Sequence, residues 1–466
     1  MQNHKLFTLF SQLNALEKRD LEKYLATPLF NNRKLTLQLF RFLQKQKDFP
    51  DKTTLFEHLF HKEEYQDEKI RLCMSQLVKK IEAFLIQQYQ QQQKLEHAKI
   101  LTQIYQQKNL PKAAEQVLQQ ALNQQNKQPF RNGQYYFEKY ELTLKRFDYG
   151  TSQRTSVQNL QEVADNLDTS FLILKLQQAC SALSHQAVYQ QEYQMGLLNL
   201  ILPYIEQQGL PKIPAIGIYY YCFLALNGQA AKDNFGRFKQ LLFEHRTLFP
   251  QAEWSNLFLF GTNICIKIIN NGDLSYLKEI LELYKEGLVT KALFDNGILT
   301  RFTYQNITTS GIRTGELTWT RQFLIDYKEK VEKRYRESAF RFNMARLAYH
   351  EKNYAEAIDL LRDTDQGDLL INLYAKNLLL KIYYELGEFK LLDSFLDAFQ
   401  IYLRRKKDIA SHKKNYWNMI YYTQKLMKVN PFNGAAKVQL QERIEAEAVL
   451  LERKWLLEQL EKIYLG

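Results

Sequence analysis

The chain has 466 residues, 45% of them apolar and 13% aromatic, enough to bury a core and too many for one compact domain. With only 17 Gly and 9 Pro, and with Leu, Gln, Lys and Glu abundant, the composition predicts an almost wholly helical protein, because these residues lose little side-chain freedom in a helix. The net charge of +12 gathers at the ends, with 17 basic against 12 acidic residues in 1–100 and 13 against 7 in 401–466; this suits an acidic partner but does not require one.

The first 94 residues read as a small helical domain. "LNALEKRDLEKYLATPLFNNRKLTLQLFRFL" gives two amphipathic helices around a break, where Pro28 restricts Thr27 and the asparagines are expected to cap the next helix. A short helix, an acidic turn and a long helix follow, the last with Ile70, Cys73, Leu77, Ile81 and Phe84 as its buried stripe. Arg71, Ser75 and Lys79 share the opposite face of that helix, which makes Arg71 and Lys79 candidate contacts to nucleic acid or an acidic partner. The Gln run "QQYQQQQ" is predicted to carry the helix onward, since Leu95, Ala98 and Leu101 resume the stripe.

From residue 95 to 430 the chain repeats itself. "ARLAYHEKNYAEAIDLL" and "LLLKIYYELGEFKLLDSFL" each read as a helix, a short polar turn and a second helix opening on an aromatic, Tyr354 and then Phe389, 35 residues apart. The same pattern recurs upstream at Leu317, Leu274, Phe235 and Tyr193, and at Leu110, with room for one degenerate unit turning near "DYGTSQRTS", so about eight hairpins are expected. On Ala345, Tyr354, Ala357 and Leu361 the segment resembles the tetratricopeptide-like superfamily, although that superfamily's Trp, first-helix Gly and closing Pro have no counterpart in this unit. The resemblance implies an all-α fold, a right-handed α-α superhelix built as a solenoid of helical hairpins. The N-terminal boxes "LxxxExxxLxxYLxTPLFN" and "MSQLVKKIEAFL" also resemble a family of uncharacterised bacterial helical-repeat proteins, a likeness that implies no activity. Residues 431–466 are read as a cap, with "QLQERIEAEAVLLERKWLLEQLEKIYL" as one amphipathic helix offering Leu450, Trp455, Leu456, Leu460 and Ile463 for packing.

Motifs for chemistry are scarce. The sequence holds no glycine-rich phosphate loop, G-x-S-x-G elbow or H-E-x-x-H, so an enzyme of those classes is not expected and no cofactor is implied. His58 and His61, with Glu57 and Glu64 nearby, read as surface histidines on a short helix rather than a metal site. "DTDQGD" has Gly367 one position early for a calcium loop and Tyr374 where the closing Glu belongs; an inter-helix turn is expected. Cys73, Cys180, Cys222 and Cys265 are too far apart for a Cys-x-x-Cys pair and read as reduced core thiols. No stretch of about 18 uncharged apolar residues and no signal-peptide pattern occurs, so a cytoplasmic location without membrane insertion is expected.

Two functions follow. The first is a non-enzymatic scaffold that binds a protein or peptide, an acidic one by the charge of its groove. The resemblance to the tetratricopeptide-like superfamily implies groove positions, and counting back from Tyr354 and Phe389 carries these onto Asn343 and Arg346 on one first helix, and Asn377 and Lys381 on the next. The alternative is a DNA-associated transcriptional regulator, since "DEKIRLCMSQLVKKI" resembles the recognition helix of winged-helix activators but lacks the wing. For nucleic acid or an acidic partner, "YLRRKKDIASHKKNYW" adds Arg404, Arg405, Lys406, Lys407, Lys413 and Lys414, with Tyr416 and Trp417 available for stacking.

Overall fold

A computed structural model describes every residue except 1–3, 47, 62, 153–158, 190, 363–368, 406–409 and 466. Helix makes up 79% of the chain, and among the described residues there are two isolated bridges, Asp295 to Ile298 and Leu299 to Val331, and no strand. The "DTDQGD" turn, Lys406, Lys407 and the last four residues of "DYGTSQRTS" lie outside the described residues. The chain divides into two compact units, 1–171 and 172–466. The sequence-based boundary at 94/95 falls next to the helix break at Gln93.

The first unit holds α1 (Lys5–Gln12), α2 (Ala15–Ala26), α3 (Lys34–Lys45), α4 (Lys52–Leu59), α5 (Asp67–Gln92), α6 (Lys94–Gln107), α7 (Pro111–Asn126), α8 (Gly133–Ser152) and the start of α9 (Leu160–Tyr189), within which the division falls. Helices α1 to α5 share one core that includes Leu6, Phe7, Leu39, Phe40 and the whole Ile70–Phe84 stripe. Asn14 and Glu17 close a capping box on α2. The asparagines of "TPLFNN" do not cap α3, whose N-cap Arg33 makes no side-chain bond. Buried Asn31 donates instead to the carbonyls of Leu25 and Arg33. The Gln run stays helical to Gln92, and Gln93, at φ −86° and ψ 71°, breaks the helix before α6.

The second unit continues with α10 (Leu198–Gln207), α11 (Pro214–Leu226), α12 (Ala231–Glu244), α13 (Gln251–Asn270), α14 (Tyr276–Val289), α15 (Arg301–Arg313), α16 (Leu317–Tyr327), α17 (Arg336–His350), α18 (Tyr354–Leu361), α19 (Leu369–Glu385), α20 (Phe389–Arg405), α21 (Ala410–Lys428), α22 (Gly434–Ala446) and α23 (Arg453–Leu465). Consecutive helices pair as α11 with α12, α13 with α14, α15 with α16, α17 with α18 and α19 with α20. First helices also pack on first helices, α11 on α13, α15 on α17 and α17 on α19. Second helices are linked by ion pairs: Lys239 to Glu279 at 2.6 Å, Lys285 to Glu316 at 2.7 Å, and Arg321 to Glu356 at 3.1 Å. Partly exposed pairs of this kind each contribute about 0–1 kcal/mol, so they set register more than stability.

Tyr354, Phe389 and Leu317 each open the second helix of a pair. Tyr193 does not: it lies in a non-helical stretch ahead of α10, where its hydroxyl bonds the His185 ring at 2.7 Å. The C-terminal segment is two helices rather than one. Residues 447–452 turn between α22 and α23, held by Asn418 donating to the Val449 carbonyl and by Tyr422 donating to the Glu447 carboxylate at 3.4 Å.

Five pairs in this unit share one turn. Gly228, Gly272, Gly315, Lys352 and Gly387 all have positive φ. In each turn the left-handed residue's N–H returns to the carbonyl three residues earlier, and the next N–H to the carbonyl five earlier, as in Gly272 to Ile269 and Asp273 to Ile268. Asn109 makes the same turn between α6 and α7. A Cβ at Gly272 would meet no atom within 4 Å, so the demand there is purely on the backbone, whereas Gly236 lies inside α12 with equally open surroundings. The same substitution should therefore have opposite signs at the two sites. Gly272→Ala is expected to lower, and Gly236→Ala to raise, the unfolding free energy by roughly 1 kcal/mol each, measured by urea denaturation.

Candidate functional site

Asn343 and Arg346 stand one turn apart on α17, and Asn377 and Lys381 one turn apart on α19, which packs against it. These groove positions are not open to solvent as a set. Asn343 and Asn377 are buried, and the Lys381 side chain is only 12% exposed. Counting along a repeat fixes a helix face but not what other segments later cover it.

Arg346 is partly buried between two first helices. One guanidinium nitrogen donates to Asn343 Oδ1 at 3.2 Å and the other to Thr309 Oγ1 of α15 at 3.0 Å. Among the described residues no carboxylate comes within salt-bridge distance of it. Desolvation brings its pKa down from the usual 12.5 to about 10, against weaker support from Glu452. Asn343 Nδ2 is engaged with the Ala339 carbonyl of its own helix. A cavity of about 220 Å³ opens beside Asn343, bounded by Arg301, Asn306 and Tyr374, and a second of about 170 Å³ touches Thr309 and Arg313; Asn306 borders both.

On α19, Lys381 Nζ pairs with Glu452 at 2.9 Å and lies 5.1 Å from the Tyr349 ring and 5.8 Å from the Trp455 ring. Asn377 Nδ2 reaches the other Glu452 oxygen at 3.5 Å, and Asn377 Oδ1 has no hydrogen-bond partner among the described residues. His350, one turn beyond Arg346, has its pKa lowered by desolvation and then by Arg346, Lys381 and Lys352, with Glu385 opposing. Arg346, His350, Lys352 and Lys381 thus form one electropositive region against two carboxylates, Glu385 and Glu452.

Glu385 is the fixed member of this region. Its carboxylate accepts from Tyr349, from Tyr354 and, at 2.7 Å, from Trp455 Nε1, so that α17, α18, α19 and α23 meet on one group. Burial alone would raise its pKa, yet the bonds from Tyr349, Tyr354 and Trp455, with the charge of Lys352, outweigh burial and hold it below the usual 4.5.

The remaining candidates are more dispersed. Arg71 and Lys79 are exposed on α5 in the first unit, and Arg71 is paired with Asp67 at 2.5 Å. Arg404, Arg405 and Lys414 are exposed and Lys413 is half-buried at the α20–α21 junction. Tyr416 cannot stack on a base, because it points into the core of α20, α21 and α23, and Trp417 is already covered by Arg404 at 5.6 Å. His58 stacks on Phe42 at 3.9 Å, and among the described residues no group of three His, Cys, Asp or Glu could hold a metal. The four cysteines are free and buried, and burial raises the thiol pKa of Cys73, Cys222 and Cys265. No helix among the described residues is long and apolar enough to cross a membrane. A cavity of about 730 Å³ lies along α10 to α12 with Tyr220, Tyr221 and Arg237 in its wall. The chain matches no protein-family model, no curated protein and no solved structure.

Sequence reasoning missed Glu385, Glu452, Thr309 and His350. None belongs to a motif, and only the meeting of α15, α17, α19 and the 447–452 turn gives them a role. Removing Glu385 would strand three donors. Glu385→Ala is expected to lower the unfolding free energy by roughly 3 kcal/mol at neutral pH in urea titrations, and Glu385→Gln by less. A depressed carboxylate pKa contributes stability above the unfolded value and loses it as pH falls through the folded one. The gap between wild type and Glu385→Ala should therefore narrow below about pH 4.5.

Proposed function

We infer that this chain is a non-enzymatic helical-repeat scaffold whose stacked hairpins form a right-handed α-α superhelix of the tetratricopeptide-like kind. It binds an acidic protein or peptide segment along the concave face of its first helices. Pairing of first helix with first helix and second with second is the contact pattern such a superhelix requires, and it supports the reading. Free buried cysteines suit a reducing, cytoplasmic setting.

The observation that carries the reading is Arg346. A partly buried guanidinium whose hydrogen-bond partners among the described residues are a neutral amide and a neutral hydroxyl is costly to the fold, and stability alone does not account for it. An arriving carboxylate would supply the missing counter-charge, with the second cation Lys381 and the switchable His350 nearby. Asn306, which borders both cavities, can bond an extended peptide backbone.

The test uses the full chain, tagged and recovered at moderate salt. Wild type should bring down a stoichiometric protein, and Arg346→Met should lose it while melting at the same temperature or higher, because a well-packed apolar replacement relieves the desolvated charge. Recovery of nucleic acid with no stoichiometric protein would overturn the reading in favour of the DNA-associated alternative. A second measurement follows from His350, whose neutral form is favoured by burial and by Arg346, Lys381 and Lys352. A bound anion reverses that field, so the complex takes up a proton and affinity for an acidic probe should rise as pH falls from about 7.5 to about 5.5. Fluorescence anisotropy with a labelled hexaglutamate peptide reads this directly, and His350→Gln should flatten the profile.

A further inference from the structure

The acid-binding positions of α19 are already occupied, and by the chain itself. Glu452 places one carboxylate oxygen 2.9 Å from Lys381 and the other 3.5 Å from Asn377, and it is the carboxylate that most supports the charge of Arg346. This is the chemistry the face would offer an acidic partner. We propose that residues 447–452 are an internal pseudo-ligand, a latch that holds the α19 half of the groove through Glu452 and is displaced when an acidic peptide binds. The inference rests on the acidic-partner reading and adds its regulation.

Three features separate this segment from an ordinary structural cap. First, Glu452 sits at φ +56°, a left-handed conformation that a β-carbon disfavours, so its placement is strained. Second, its bonding is incomplete: the Asn377 contact is at the limit of a hydrogen bond, Asn377 Oδ1 is unpaired, and Arg453 Nε has no partner among the described residues. Third, burial changes abruptly along the chain. No residue from Glu447 to Lys454 is fully buried, whereas Trp455, Leu456, Gln459 and Leu460 of α23 all are. Helix α23 is thus anchored in the core, with Trp455 on Glu385, while the preceding turn is held by polar contacts at Asn418, Tyr422 and Lys381 and by Leu450 and Leu451, which are only half-buried at the edge of that core. A segment whose apolar side chains are only half-buried opens at lower cost than the core it adjoins.

The geometry also defines the competitor. Lys381 lies between two aromatic rings and Asn377 has an unused acceptor, so a carboxylate with a neighbouring N–H donor would satisfy both more fully than Glu452 does. An acidic residue in an extended peptide provides that pair, because its own main chain carries the donor. Glu452 is denied it by the turn that positions it.

Anisotropy titration of the labelled hexaglutamate peptide against the full chain tests the latch. Glu452→Gly removes the carboxylate and the backbone strain together, and Glu452→Gln removes the charge alone. Both are expected to bind the probe roughly tenfold more tightly than wild type, as when a competing closed state is abolished. Circular dichroism should show the same helicity in all three. Arg346→Met combined with Glu452→Gly should abolish the gain, which places it at this face. Equal affinity of wild type and both Glu452 variants overturns the latch and leaves the acidic-partner reading intact. So does a gain that survives Arg346→Met, since it would arise elsewhere. Failure of wild type and both folded variants to bind the probe overturns the acidic-partner reading together with the latch.

Discussion

Two main-chain hydrogen bonds at the end of each first helix govern this architecture. After α6, α11, α13, α15, α17 and α19 the chain reverses through one left-handed residue, whose N–H and that of its successor return to carbonyls of the last helical turn. The bonds satisfy acceptors that a helix end would otherwise leave open, and they fix where the second helix begins. In the second unit α11 packs on α13, α15 on α17 and α17 on α19, and cations of one second helix reach carboxylates at the next. Glycine fills the left-handed position in four of the six turns. Asn109 and Lys352 tolerate the strain in the other two.

The region around α17 and α19 combines two ways of handling buried charge. Glu385 is fully satisfied: three donors from different helices converge on it and overcome its burial. Arg346 is not, since its partners are neutral and its pKa falls. A satisfied buried charge locks helices together, while an under-satisfied one stores free energy that a ligand can recover. Their proximity is what the proposed binding face would need, a fixed frame beside an unsatisfied group. The 447–452 turn lies at the edge of that frame and meets its charge only in part.

The helix stripe of α5, the core cysteines and the aromatic openings at Tyr354 and Phe389 were readable from periodicity, because helix geometry converts sequence spacing directly into a face. The left-handed turns left a trace as well, in Gly228, Gly272, Gly315 and Gly387, although Asn109 and Lys352 interrupt the series. Tyr416 shows the opposite case. Beside six cations it read as a base-stacking platform, but it falls on the inward side of α21 with Met419 and Ile420, and proximity in sequence to a basic run says nothing about direction.

Local chemistry therefore determined the helices, most of the hairpin turns and the positions of Asn343, Arg346, Asn377 and Lys381 on adjacent first helices, since each depends on residues within a few turns of one another. Only the tertiary structure decided their surroundings. Glu452 lies 71 residues beyond Lys381, Trp455 lies 70 beyond Glu385, and Thr309 lies 37 before Arg346. Contacts across such separations leave no periodic signal, because they are selected by which helix packs on which and by where the chain folds back. That return converts a solvent-facing cation pair into a partly closed site, and no window along the sequence contains both sides of it.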